Sequence, residues 1–284
     1  MKATFFVASV LSAVLTYYYL ENHVEEDVWT FSDLPDQVQE WRGKGEIFDI
    51  HGYRMFVIDT GNRNASTSIV FLHGYPASSF DYHRALGFLS DRLSDYRLIF
   101  FDHVGFGFSD KPKQDFEYTL HDHAENALEL IQKLDLGPTH FVAHDMGDSV
   151  LTEMLTRRNF GLLPPDLAKN FMSVTFTNGG MRYELINKRI GQILLTTPKV
   201  GPFLSWLGTK IPSWIAGRGF HRQLNSIYGP DVPQADREQD VEAMFSLTHL
   251  NQGASISHKT VSYLNDRFVF QPSFTCLKFS ILEM

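Results

Sequence analysis

A single cysteine, Cys276, in a chain of 284 residues leaves no internal partner for a disulfide, so the fold cannot be stapled and cysteine usage does not assign a redox compartment. No CxxC or HExxH spacing occurs, so neither a metal nor a cofactor is inferred. Runs of like charge are also missing. The formal net charge of −8 is scattered along the chain, which gives a soluble face and no electrostatic footprint for nucleic acid. Internal repeats and low-complexity tracts are absent, and with 43% apolar residues the chain can bury a sizeable core; disorder is not the default.

One long apolar run is present. Residues 3–20 follow Lys2 without a charge and are just long enough to cross a bilayer. Tyr17, Tyr18 and Tyr19 end the run and Glu21, Glu25, Glu26 and Asp27 come next, so residues 1–20 are expected to be a transmembrane signal-anchor. The positive-inside rule then places the remainder in the lumen, with the endoplasmic reticulum as the expected membrane. A cleaved signal peptide is the rival, but bulky Tyr-Tyr-Leu stands where small residues would be wanted. The sequon Asn64-Ala65-Ser66 would be usable on that side. Residues 21–45, polar with scattered aromatics, read as a linker or a short helix.

From residue 46 the pattern becomes that of a globular domain. Strand-like runs at 46–50 and 54–59 flank His51-Gly52, which reads as a hairpin turn. The runs 68–72, 97–101, 139–143 and 173–177 are short and mainly apolar, of the kind expected of strands buried on both faces of a parallel sheet. A helix is predicted from Thr119, which can cap with Asp122, to the stop at Gly137-Pro138; another is predicted from Gly147. Alternating strands and helices predict a doubly wound α/β core over 46–180. Over 181–267 no strand is convincing and prolines break the helical stretches, so a helical cap is expected. Within it residues 190–216 are poor in acid and hold Trp206 and Trp214, which suits a lid over an apolar pocket, a face that touches a membrane, or packing onto the sheet.

The chemistry concentrates at Thr139-His140-Phe141-Val142-Ala143-His144-Asp145-Met146-Gly147-Asp148, a strand running into a sharp turn and a helix. Such a turn is a nucleophile elbow, with Ala143 and Gly147 as the small residues that relieve crowding around the central side chain. Its centre is Asp145, and a carboxylate there attacks an electrophilic carbon to give an ester. The plainer alternative is that Asp145 only caps the following helix. A second motif, Leu72-His73-Gly74-Tyr75-Pro76, ends a strand where the N–H of Tyr75, with that of Met146, could form a two-donor anion hole. The third, Gly105-Phe106-Gly107-Phe108-Ser109-Asp110-Lys111-Pro112, follows another strand, but no helix opens after it and a dinucleotide fingerprint is not supported.

In these motifs, their order, and the further Ser173 to Gly180 and Tyr228-Gly229-Pro230 stretches, the chain resembles the epoxide hydrolase and haloalkane dehalogenase branch of the α/β-hydrolase superfamily over residues 46–268. The resemblance implies a cap domain at 181–267, Asp145 as the nucleophile, and a small apolar substrate. Dehalogenases of this kind carry halide donors where this chain has Tyr75 and Met146. Epoxide hydrolases polarise the epoxide oxygen with two cap tyrosines, for which Tyr183 and Tyr228 are the candidates. Met146 departs from the tryptophan usual in both.

The family pattern continues with two further strands, an acid and a histidine. Here the resemblance fades near Phe268, and the tail 268–284 holds no histidine. The expectation is therefore an α/β-hydrolase sheet truncated before its last strands and lacking the base for turnover. The alternative is a non-catalytic, membrane-attached binding protein that keeps the pocket. His249 and His258 in the cap are poor substitutes for the base, and Asn178 occupies a place where some relatives carry the acid.

Overall fold

The computed structural model describes residues 2–26, 28–179 and 186–269. Six strands form one sheet in the order β1-β2-β4-β3-β5-β6: β1 (Glu46–Ile50), β2 (Tyr53–Gly61), β3 (Ser68–Leu72), β4 (Arg97–Phe101), β5 (Thr139–His144) and β6 (Phe171–Thr177). The first two pair antiparallel, β2 meets β4 antiparallel, and β4, β3, β5 and β6 run parallel. Ile50 stands opposite Tyr53, and the two residues between, His51 at φ 51° and Gly52 at φ 83°, take the left-handed pair of angles that a two-residue hairpin needs.

Strand alternation divides the core into two. Val70, Leu72, Ile99, Phe101, Phe141 and Ala143 point to one face; Ile69, Phe71, Leu98, Phe100 and Val142 point to the other. The first face is covered by α4 (Leu120–Lys133) and α5 (Met146–Asn159), through residues such as Leu128, Ile131, Val150 and Met154. At the start of α4, Thr119 Oγ1 accepts from the N–H of Asp122 at 3.1 Å while the Asp122 carboxylate accepts from the Thr119 N–H at 3.1 Å, so two otherwise orphaned donors are satisfied. The opposite face is covered by α2 (Asp36–Arg42), the phenyl ring of Phe80 and the side of α3 (Leu86–Arg92). Val38 and Trp41 of α2 are buried, and Trp41 Nε1 donates to Ser79 Oγ at 3.1 Å; part of the stretch expected to be a linker is therefore core.

After the short α6 (Pro165–Ala168) and β6 come α7 (Ile190–Thr196), α8 (Val200–Lys210), α9 (Ser213–Asn225), α10 (Gln234–His249), α11 (Ser257–Thr260) and α12 (Tyr263–Val269). Between Ile190 and Val269 no strand lies among the described residues. Pro212 and Pro233 stand at the N-caps of α9 and α10 and Pro202 in the first turn of α8, where a missing N–H costs nothing. Helix α10 also closes the second core through Ala243 and Leu247.

At the other end of the chain, α1 (Lys2–His23) is one continuous helix of 22 residues. Among the described residues no helix is long and apolar enough to cross a membrane, so the transmembrane anchor expected over residues 3–20 is not supported. The last turns of α1 instead touch the cap: the rings of Tyr17 and Trp206 lie 4.7 Å apart and Trp206 Nε1 donates to Glu21 Oε2 at 2.7 Å.

Candidate active site

Register sets the site. Leu72 of β3 pairs with Phe101 of β4 on one side and Ala143 of β5 on the other, so His73, Asp102 and Asp145 emerge together at the carboxyl edge of the parallel strands, the edge where open α/β sheets place their ligands. Between β5 and α5, Asp145 has φ 49° and ψ −107°, a conformation costly for a residue with a Cβ, held by its own N–H donating to Thr177 O at 3.3 Å. Its side chain makes no cap bond to α5. The crowding explains the glycines: a Cβ on Gly147 would stand 2.6 Å from the Leu72 carbonyl oxygen, and one on Gly74 would stand 2.6 Å from Asp145 Cβ.

Freed from capping, the Asp145 carboxylate faces a cavity of about 820 Å³. Its Oδ1 accepts from the Tyr75 N–H at 3.1 Å and from the Tyr263 hydroxyl at 3.2 Å. Tyr263 begins α12, one turn before Arg267 on the same helix face. That guanidinium is buried, lies 4.7 Å from the Tyr263 ring centroid, and donates through Nε to Ser149 Oγ at 2.6 Å and through Nη2 to the Asp145 carbonyl at 3.2 Å. Burial, then the neighbouring Asp145 carboxylate, raises the Tyr263 hydroxyl well above its ordinary value, so it remains a proton donor.

The cavity wall is otherwise mixed. Leu195, Phe220, Leu224, Met244 and Leu247 supply apolar surface from the cap and Tyr228 lines the same space. Tyr228 is pushed up to about 12 by burial and by Asp240. Asp81 also lines it, and desolvation there, with the Asp145, Asp102 and Asp240 carboxylates adding to the effect, raises its carboxyl above the usual range. His144 Nδ1 stands 3.9 Å from Asp81 Oδ2. Below the elbow, burial pushes Asp148 up to about 7, opposed by the N–H groups of Thr177 and Gly179. Asp102 braces the neighbouring loops by accepting from the N–H groups of Ser79 and Phe108, each at 2.7 Å.

Residues 67–185 of the sequence match the family model described as the alpha/beta hydrolase fold. LipZ of Mycobacterium tuberculosis is 32% identical over 230 residues, covering 81% of this chain and 73% of that protein. The mesoderm-specific transcript homolog protein of Bos taurus is 30% identical over 244 residues, covering 84% and 68%. The chain belongs to the α/β-hydrolase family. Among solved structures, the epoxide hydrolase CorEH superposes with a TM-score of 0.58 at 18% identity, over 82% of this chain and 76% of that one, which shows the shared fold.

Within this α/β-hydrolase, the site residues named from sequence are distributed as follows. Asp145 and Tyr75 are in hydrogen-bond contact. Met146 is buried at the first residue of α5, and its N–H makes no bond to the Asp145 carboxylate, whose contacts are Tyr75 and Tyr263. Tyr228 shares the cavity without touching Asp145, and Tyr183 lies outside the described residues. Asn178 lines the cavity, whereas His249 and His258 do not. Sequence reasoning missed Tyr263 and Arg267; the signal was a Tyr and an Arg four apart on one helical face.

Proposed function

We propose that this α/β-hydrolase acts on small apolar epoxides through an ester on Asp145. The observation that carries the proposal is the strained elbow aspartate whose carboxylate, bonded by no helix cap, meets a main-chain N–H on one side and a tyrosine hydroxyl on the other. In the first half-reaction a carboxylate oxygen of Asp145 bonds to a ring carbon, the ring C–O bond breaks, and its electron pair stays on the epoxide oxygen. Tyr263, with Tyr228 from the same cavity, supplies the proton to that oxygen, and the raised affinity of both hydroxyls for their protons keeps them in the donor form until then. The resting bond from Tyr263 to Asp145 marks where a substrate oxygen would take the hydroxyl's hydrogen. The apolar cap residues favour a hydrocarbon substituent.

In the second half-reaction water adds to the ester carbon, the N–H groups of Tyr75 and Met146 hold the oxygen that becomes anionic, and the diol leaves as the carboxylate reforms. That step needs a base on the water. Among the described residues lining the cavity the imidazoles are His83 and His144; His83 is turned to the Phe80 carbonyl and to Asp240, and His144 to Asp81. No imidazole among the described residues is hydrogen-bonded to Asp145, so ester formation outpaces hydrolysis, lack of a placed base slowing it by about two to four orders of magnitude.

The test is to mix the protein with a reactive aryl epoxide and follow peptide masses. A lasting mass increase on the peptide carrying Asp145, abolished by Asp145→Asn, is the expected result. Labelling spread over surface carboxylates, equal in both proteins, would overturn it.

A further inference from the structure

The outer side of the cap differs from the rest of the molecule. Between Glu184 and Asp231 the sequence has no acidic residue, although the chain carries a net charge of −8, and six cations fall there: Lys188, Arg189, Lys199, Lys210, Arg218 and Arg222. Large apolar side chains stand exposed among them in helical stripes. Ile190, Ile193 and Leu194 lie on α7, Val200 and Phe203 on α8, and Trp214 and Ile215 on α9, Ile190 being 77% and Trp214 66% exposed. The opposite sides of the same helices serve the cavity, through Gln192 and Leu195 of α7 and Phe220 and Leu224 of α9. These helices therefore separate the cavity from whatever meets their outer side.

The helices adjoin one another. Helix α7 approaches α9 where a Cβ on Gly191 would lie 4.0 Å from Gln223 Oε1. Helix α8 continues into α1 through a row of rings, Phe203 and Trp206 at 5.6 Å and Trp206 and Tyr17 at 4.7 Å. Lys210 Nζ donates to the Val24 carbonyl at 3.0 Å on the same seam. Beside this row Tyr18 and Tyr19 are exposed. Glu21, the nearest acid on α1, is engaged by Trp206, and Glu25 and Glu26 come past the helix end. Arg218 lies 5.6 Å from the Trp214 ring centroid, so a cation and an amphipathic ring are presented side by side.

We infer that the outer face of α7, α8 and α9, joined to the end of α1, docks on the surface of an anionic lipid bilayer. On α7, α8 and α9, exposed aliphatic and aromatic side chains interleaved with cations and free of acids match the boundary between acyl chains and anionic headgroups, where rings and long cationic side chains both find favourable surroundings. Charge complementarity favours this occupant: a second copy meeting this face symmetrically would set cation against cation, whereas an anionic leaflet attracts every exposed cation of the face. Docked this way, α7 and α9 would have lipid on one side and the cavity on the other, which suits a substrate that dissolves in the membrane. The inference concerns the outer face and is independent of the chemistry at Asp145.

The experiment uses the full chain with vesicles of phosphatidylcholine alone or mixed with phosphatidylserine. Binding is expected to be stronger on the mixed vesicles and to weaken with salt, and Lys199→Gln and Arg218→Gln, both exposed and outside the cavity wall, each to lower affinity about fivefold. Because α1 could hold vesicles by itself, brominated lipid provides a local readout. It should quench a component of the fluorescence that is missing in Trp214→Phe. Equal binding by wild type and both cation variants, with no quenching assignable to Trp214, would overturn the inference. A concentration-dependent dimer that shields Trp214 and binds no vesicles would overturn it in favour of a second copy.

Discussion

The proposed role of Asp145 rests on a carboxylate that caps no helix. Aspartate at a helix start ordinarily accepts an N–H from the first turn, but the positive φ of 49° turns this side chain away, toward Tyr75 and Tyr263. Removing the Tyr263 hydroxyl separates the roles: Tyr263→Phe should slow adduct formation on Asp145 by about a hundredfold or more, the typical contribution of a placed proton donor. Tyr228→Phe, which loses no contact to Asp145, should slow it less, and mass spectra taken against time compare the two. Similar rates for Tyr263→Phe and wild type would remove Tyr263 from the chemistry. Asp145 and Tyr75 could be named from sequence because each sits in a short contiguous motif whose turn dictates where it points. Tyr263 could not, since 118 residues separate it from Asp145 and only the fold brings it there. Among eleven tyrosines, sequence position favoured Tyr183 and Tyr228 instead.

The elements were more legible than the site. Short apolar runs located β3 and β4 because both are buried almost throughout, whereas β6, expected to be buried on both faces, is exposed at Met172, Ser173, Thr175 and Thr177; Thr119 with Asp122 located the start of α4 because capping is local chemistry. Less legible was α2, whose polar residues outnumber Val38 and Trp41, the two that it buries. Nor did sequence reveal that α4 brings His123 against His103, with rings 5.3 Å apart, among Phe106, Phe116 and Tyr118. Both nitrogens of His123 lack a partner among the described residues, and burial lowers it to about 3. An unfolded chain takes up this proton near pH 6.5 while the folded one refuses it down to about 3. Stability therefore falls as pH falls through that window, by about 1.4 kcal/mol per pH unit for this one group. Asp148, raised to about 7, works oppositely, because the fold accepts its proton first. The informative quantity is thus a difference: His123→Leu should change the slope of stability against pH between pH 6 and 4 by about that amount, toward less loss on acidification in urea unfolding. Parallel curves for the two proteins would show that His123 is charged in the fold.

Across the whole molecule, the second core is assembled from distant parts of the chain. Trp41 packs edge-on against Phe80 and Phe100, and the same cluster takes Ala243 and Leu247 from the cap. Trp41→Ala should therefore destabilise the entire fold by about 3–5 kcal/mol, read as a shifted urea midpoint with unchanged slope, as expected for a large ring removed from a core. A loss under about 1 kcal/mol would mean that α2 is a detachable strap. What makes the cap integral is the same geometry that hides it from sequence: α10 carries core residues without a conspicuous apolar stripe, since Val241, Ala243, Phe245 and Leu247 are buried around most of its circumference.

The bond from Gln37 Nε2 to the Gln239 carbonyl, 3.1 Å long, joins residues 202 apart in the chain. At roughly 5–20 residues per second, a ribosome needs about 10–40 s to deliver the second after the first. Chain collapse is far faster than that, so α2 must settle on the half-built sheet long before α10 exists. During this interval the flank of the sheet that Ala243 and Leu247 will seal is open to the surroundings, and the nascent protein spends it with a sticky side that its own sequence has not yet supplied the means to close.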